Sequence, residues 1–189
     1  MERSRRFLLL DTPGHGKLRH YATSHLAEPK AKAIQGILFV VDAAALAEES
    51  GLNEAAEYLH DVLLSLQKRY TEATSSKGPP EMAVLVAANK MDLFTALPPS
   101  LVRLQLEKAI TEVRSRRAKA LKDAGIALGG GDDGLVDEEK EWLGEGGEGA
   151  FAFAMMAECG VSVEVLGGNV VGKDEAGVGA WWAWIAEHL

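Results

Sequence analysis

Met82-Ala83-Val84-Leu85-Val86-Ala87-Ala88-Asn89-Lys90-Met91-Asp92 carries an unbroken apolar run straight into a polar turn. The run has the length of a strand, and apolarity without alternation means burial on both faces, as in a parallel sheet covered by helices. Working outward, Ile37 to Val41 repeats the pattern between Gly36 and Asp42 and predicts a second central strand. Phe7 to Leu10, halted by Asp11 and Thr12-Pro13-Gly14, predicts a buried strand ended by a turn. Val161 to Leu166 alternates and is β-branched, which predicts another strand. Apolar stripes at spacings of three and four lie between these runs. Leu18, Tyr21, Ala22, His25 and Leu26 predict a helix from about Lys17 to Ala27. Leu52, Ala56, Leu59, Leu63 and Leu66 mark a second, and Val102, Leu106, Ala109, Ile110 and Val113 a third, after Pro98-Pro99. Trp181, Trp184, Ile185 and Leu189 give the inner stripe of a closing helix. Strand and helix alternate throughout, so the predicted fold is α/β, a parallel sheet with helices on both faces.

The 189 residues suffice for one domain, or one domain with an insertion. With 47% hydrophobic and 25% charged residues the composition is globular, which excludes wholesale disorder and fibrous repeats. Twenty Lys and Arg against 28 Asp and Glu leave a net charge of −8, a sign that repels a phosphate backbone and argues against non-specific nucleic-acid binding. No apolar run reaches the roughly 18 residues of a spanning helix, and Cys159 has no second cysteine to pair with. The expectation is a mildly acidic, intracellular chain without a signal peptide. Between Gly129 and Gly149 stand eight glycines and eight acidic residues, which predicts a flexible insertion at about 125–150.

In an open α/β sheet, ligands bind at the carboxyl ends of the strands. Two motifs fall there: Asp11-Thr12-Pro13-Gly14-His15 and Asn89-Lys90-Met91-Asp92. The second suits guanine. A carboxylate such as Asp92 can accept both the ring N–H and the exocyclic amino group, donors that adenine lacks in that place. Asn89 can bridge the base and a neighbouring phosphate loop, and the Lys90 stem can lie along the base plane. In the first motif, Asp11 can hold Mg²⁺ through water, and Gly14 lets a backbone N–H approach a γ-phosphate. Alone, Asp-x-x-Gly is a common turn signature. The three fixed residues of Asn-Lys-x-Asp are far rarer, and the two motifs in this order after buried strands indicate a GTPase-type site.

Leu8 to Arg19, Ile37 to Ala44, and above all Ala87 to Leu93 with Leu104 to Lys108 and Arg114 to Arg117, resemble the β-subunit family of the signal recognition particle receptor. The resemblance spans nearly the whole chain outside the glycine–acid stretch. It implies a P-loop, Arf/Sar-like small GTPase domain over 1–189, binding GTP or GDP with Mg²⁺ and acting in co-translational protein targeting. The implied location is the cytosolic face of the endoplasmic reticulum membrane. The implied partner is the N-terminal domain of the receptor α subunit, and through it, indirectly, the signal recognition particle, ribosome and translocon, with no direct nucleic-acid contact. His15 stands where the family orients the attacking water, although a turn histidine needs no such role. Gly168 and Asn169, after the last strand, stand where the family's final motif meets the guanine oxygen. The family's spanning helix, first strand and Gly-x-x-x-x-Gly-Lys-[Ser/Thr] loop belong before Phe7, so the expectation is a partial domain lacking its N-terminal strand and phosphate loop. A scaffold that docks the α subunit without nucleotide is the alternative; a fragment of another Arf/Sar-like or translational GTPase fits Asp11 to His15 but not Leu104 to Arg117.

Other signals have plainer readings. Gly167 to Asp174 approximates a phosphate loop, but Asp174 replaces the Mg²⁺-binding hydroxyl. His15, His20 and His25 are spaced by five and cannot share a helix face, which makes a poor metal site. Arg114 to Lys122 reads as a solvated helix end, or as a patch for anionic lipid.

Overall fold

The computed structural model describes residues 6–27, 34–72, 81–127, 142–144, 149–171 and 177–189, with side chains of 121–127 excluded. Three strands, β1 (Gly36–Asp42), β2 (Met82–Asn89) and β3 (Val161–Gly167), form a parallel sheet in the order β1-β2-β3. Four helices accompany them: α1 (His20–Ala27), α2 (Glu49–Thr71), α3 (Pro99–Ala127) and α4 (Gly179–Glu187). Every residue of β2 from Met82 to Ala88 is buried, as its unbroken apolar run requires.

The side chains of a strand alternate between faces, so the sheet has two cores. On one face Phe39, Val41, Val84, Val86 and Val163 pack against the stripes of α2 and α3, including Leu59, Leu63, Leu106 and Ile110. On the other, Ala83, Leu85 and Ala87 meet Trp181 and Trp184 of α4. The two alanines leave room for the indoles, whose N–H groups are satisfied: Trp181 Nε1 donates to the Leu166 carbonyl and Trp184 Nε1 to Glu164 Oε1, both at 3.2 Å. Helices on both faces of a parallel sheet are thus the observed fold.

Two sequence expectations fail here. Phe7 to Leu10 is not a strand; Leu8 and Leu9 are 92% and 71% exposed. A strand needs a neighbour's ladder, and none of the described residues offers one to this run. Its one ring contact is Phe7 against Trp182, at 6.5 Å. Ile37 to Val41, expected in the middle of the sheet, pairs only with β2 among the described residues and lies at an edge. Its burial accordingly alternates, with Val40 exposed.

The chain also builds contacts that periodicity does not announce. Arg114, expected at a solvated helix end, is 2% exposed and lies over the Phe151 ring. Arg116 and Arg117 instead reach α2, pairing with Glu57 at 3.3 Å and Asp61 at 2.7 Å; Lys122 lies outside the described side chains. A 3₁₀ turn over Phe153–Cys159 is tethered to α3, where Thr111 Oγ1 accepts the Phe151 N–H and Glu107 Oε1 the Phe153 N–H. Most of the predicted 125–150 insertion lies outside the described residues. Within it α3 continues to Ala127, and Gln67 donates to the Trp142 carbonyl and accepts the Gly144 N–H, at 2.6 and 2.8 Å, around a fully buried Leu143.

Leu63→Ala, between α2 and the sheet, is expected to lower stability by about 2–5 kcal/mol. Leu104→Ala, on the solvent side of α3, should stay within about 0.5 kcal/mol of the parent in the same denaturant titration.

Candidate functional site

The carboxyl ends of the strands are knitted by backbone hydrogen bonds that outlast the sheet. Register places Asp42 beside Asn89. The Ala43 N–H donates to the Asn89 carbonyl at 3.0 Å, and the Ala43 carbonyl accepts the Leu97 N–H at 3.0 Å. On the other side of β2, the Gly168 N–H donates to the Ala88 carbonyl at 2.9 Å, and the Gly168 carbonyl accepts the Met91 N–H at 3.1 Å. The half-buried Asn89 side chain completes the tie: its Oδ1 accepts N–H bonds from Lys90 at 2.8 Å and Val170 at 3.1 Å. One amide therefore fixes the turn after β2 to the turn after β3.

That turn is tight. Lys90 has φ +66°, a left-handed conformation that non-glycine residues seldom adopt. Its Nζ donates to Asp42 Oδ2 at 2.6 Å, while Asp42 Oδ1 accepts the N–H groups of Ala44 and Ala45 at 3.0 and 3.2 Å. Burial pushes the Asp42 carboxyl up, but the bond from Lys90 and those from Ala45 and Ala44 outweigh it and hold the group below its ordinary value of 3.8. The carboxylate's contribution to stability is therefore present above 3.8 and lost as pH falls through the lower folded value. Asp92, two residues beyond Lys90, is exposed and its carboxylate has no partner among the described residues.

Gly168 is buried where no side chain fits. A Cβ there would lie 2.7 Å from the Gly177 carbonyl oxygen and 2.7 Å from Trp181 Cζ2. Asn169 is half-buried, with Oδ1 against Gly177. Of the loop that approximates a phosphate loop, residues 172–176 lie outside the described residues.

The first motif is a separate, exposed segment. Asp11 is exposed. His15 Nδ1 accepts the Lys17 N–H at 3.4 Å and starts a 3₁₀ turn over Gly16–Leu18. The Gly14 carbonyl accepts Arg19 Nε at 3.1 Å, and Arg19 in turn pairs with Glu54 at 2.7 Å and covers the Tyr58 ring. This anchors the motif to the start of α2. Among the described residues no hydrogen bond, ion pair or ring contact joins Asp11, Gly14 or His15 to Asn89–Asp92, and no three His, Cys, Asp or Glu side chains gather as a metal site.

A parallel α/β sheet covered by helices on both faces, with two turns tied together at its carboxyl edge, places the chain in the small-GTPase-like α/β fold class, whose ligand edge lies there. The sequence matches the family described as Signal recognition particle receptor beta subunit over residues 2–158, and the chain belongs to that family. It is 37% identical over 115 residues to signal recognition particle receptor subunit beta of Saccharomyces cerevisiae, an alignment covering 61% of this chain and 43% of that protein. The chain thus spans less than half the length of the curated relative it matches. Among solved structures it resembles the receptor's SRb in the GDP–Mg form from Chaetomium thermophilum, with TM-score 0.78, 41% identity, and 97% of this chain against 80% of that one. The SRb-GTP/SRX complex from the same organism gives TM-score 0.78 and 39% identity, over 98% of this chain and 68% of that one.

Asp42 escaped the sequence reading, which saw in it only the end of a strand. An acid at the carboxyl end of an apolar run was the available signal, the same one that singled out Asp11; its pairing with Lys90 depends on a register the sequence does not carry.

Gly168→Ala is expected to lower stability by about 1–3 kcal/mol by pushing the β3 turn off Trp181. Gly179→Ala, where nothing lies within 4 Å of the added methyl, should leave the melting temperature unchanged or raise it. Thermal melting of the two variants side by side checks the contrast.

Proposed function

We propose that this chain binds guanine nucleotide at the carboxyl edge of the sheet, as the GTP-binding subunit of a signal recognition particle receptor in co-translational targeting to the endoplasmic reticulum. The observation that carries the reading is Asp92: a carboxylate without a partner among the described residues, on a turn that Asn89 and Gly168 hold in one geometry. Asp92 accepts the ring N–H and amino group of guanine, and the Lys90 stem lies along the base plane. Gly168 and Asn169 line the guanine-oxygen side, and Asn89 joins their loop to the base-reading turn.

On the phosphate side, Gly14 leaves its backbone N–H open to a γ-phosphate, and His15 orients the water that attacks it. The single carboxylate of Asp11 fits a Mg²⁺ ion that takes most of its ligands from phosphates and water. The ion, when bound, neutralises charge on the phosphate oxygens. The relatives solved with GDP–Mg and as an SRb-GTP/SRX complex support this assignment of ligand and of a receptor α-subunit partner; we place the contact at that partner's N-terminal domain. Through that partner the chain would act on the signal recognition particle, ribosome and translocon, at the cytosolic face of the membrane. Among the described residues no helix is long and apolar enough to cross a membrane.

The test is a competition titration on the full-length protein. GTP and GDP should displace a labelled guanine nucleotide while ATP does not. Asp92→Asn should shift preference toward xanthine nucleotides by about tenfold or more, because an amide N–H meets the oxygen that xanthine carries in place of the amino group. Equal competition by ATP and GTP would overturn the assignment.

A further inference from the structure

The Lys90 side chain leaves the clamped turn on a long stem held only at its far end by Asp42 among the described residues. Its backbone is fixed by the Asn89 amide and by the Leu93 N–H on its own carbonyl, at 2.8 and 3.0 Å. Its four-carbon stem, however, is half exposed and would sample many rotamers in solvent. Asp42 removes that freedom. The carboxylate is itself anchored: Oδ1 is committed to Ala44 and Ala45 at the turn after β1, which leaves Oδ2 aimed at the ammonium 2.6 Å away. Asp42 and Asn89 are register partners, so the ion pair spans the two strand ends and lays the lysine stem across the mouth between them.

We infer that Asp42 is a positioning residue of the nucleotide site, holding the Lys90 stem in the orientation a base can lie against. This rests on the guanine-binding reading of the same edge. Asp42 touches no base atom; it acts through Lys90. It reads neither the guanine edge, which is the work of Asp92, nor the number of phosphates. Its loss therefore weakens GDP and GTP binding equally and leaves the preference for guanine intact.

Asp42→Asn is the informative variant, because the amide oxygen can still accept from Ala44 and Ala45 while its NH₂ group cannot accept from an ammonium. The protein is used at full length. In the absence of nucleotide, the rate at which an amine-acylating reagent modifies Lys90, read by peptide mass spectrometry, should rise in Asp42→Asn. Dissociation constants for GDP and for GTP should both rise by about fivefold, the scale of a partly exposed ion pair. That gap should narrow in 1 M salt, where the pair is screened. In a Lys90→Met background, Asp42→Asn should add little.

An unchanged acylation rate would overturn the inference whether or not nucleotide binds. Faster acylation with no guanine-nucleotide binding by the parent protein would instead defeat the functional reading, and the positioning role with it. Additive losses in the double variant, or a lowered melting temperature accounting for the weaker binding, would assign Asp42 to capping the turn alone.

Discussion

Everything at the ligand edge depends on the burial of β2. Its seven residues from Met82 to Ala88 are enclosed on both faces and paired along both edges, so every backbone N–H and C=O group is committed to the ladders. A strand held in this way cannot slide, because a shift of one residue would bring Val84 and Val86 to the indole face and Leu85 to the α2 face. The place where β2 ends is therefore fixed, and so is the place where Asn89 begins its turn. Asn89 then extends the same logic by side chain, replacing two ladder bonds with one amide oxygen.

The electrostatics of that edge follow from who is paired with whom. Lys90 would be the obvious cation for a phosphate, yet its ammonium is already neutralised by Asp42. Asp92, by contrast, is exposed and has no partner among the described residues. An exposed acceptor beside a compensated cation favours hydrogen-bond donors over anions. The local pattern runs the same way as the net charge of −8, which also disfavours an anion.

Much of this was legible in the sequence because it is written in periodicity. The unbroken run of β2, the stripes of α2 and α3, and the tryptophans of α4 all record which faces are buried, and the structure buries those faces. Asn89 to Asp92 follows β2 directly, as expected, whereas Asp11 to His15 follows a run that is not a strand. What periodicity cannot express is pairing. Phe7 to Leu10 has the composition of a strand but finds no ladder among the described residues, and Ile37 to Val41 reads as central yet lies at an edge. Arg114 looked like a solvated helix end because charge predicts exposure on average. Its burial over Phe151 depends on a segment thirty-seven residues downstream that folds back on α3. Gln67 is a similar case, an unremarkable helix residue whose amide serves both Trp142 and Gly144. In each, a long-range contact gives one side chain a role its neighbours in sequence do not hint at.

The two motifs are secured by different kinds of interaction, and the difference bears on how the site can work. Asn89 to Asp92 is held by backbone bonds continuous with a buried ladder, so moving it means opening the sheet. Gly14 to Arg19 is held to α2 by one arginine, through the Gly14 carbonyl, the Tyr58 ring and a 2.7 Å pair with a largely exposed Glu54. A surface pair of that sort contributes about 0–1 kcal/mol, and a ring contact at an exposed site about as much. The segment from Asp11 to His15 can therefore be displaced at a cost well below that of any rearrangement at Asn89. The Tyr58 ring that Arg19 covers itself packs on the buried Phe39 ring at 5.3 Å, so this contact reaches the core through β1 while the Glu54 pair stays at the surface.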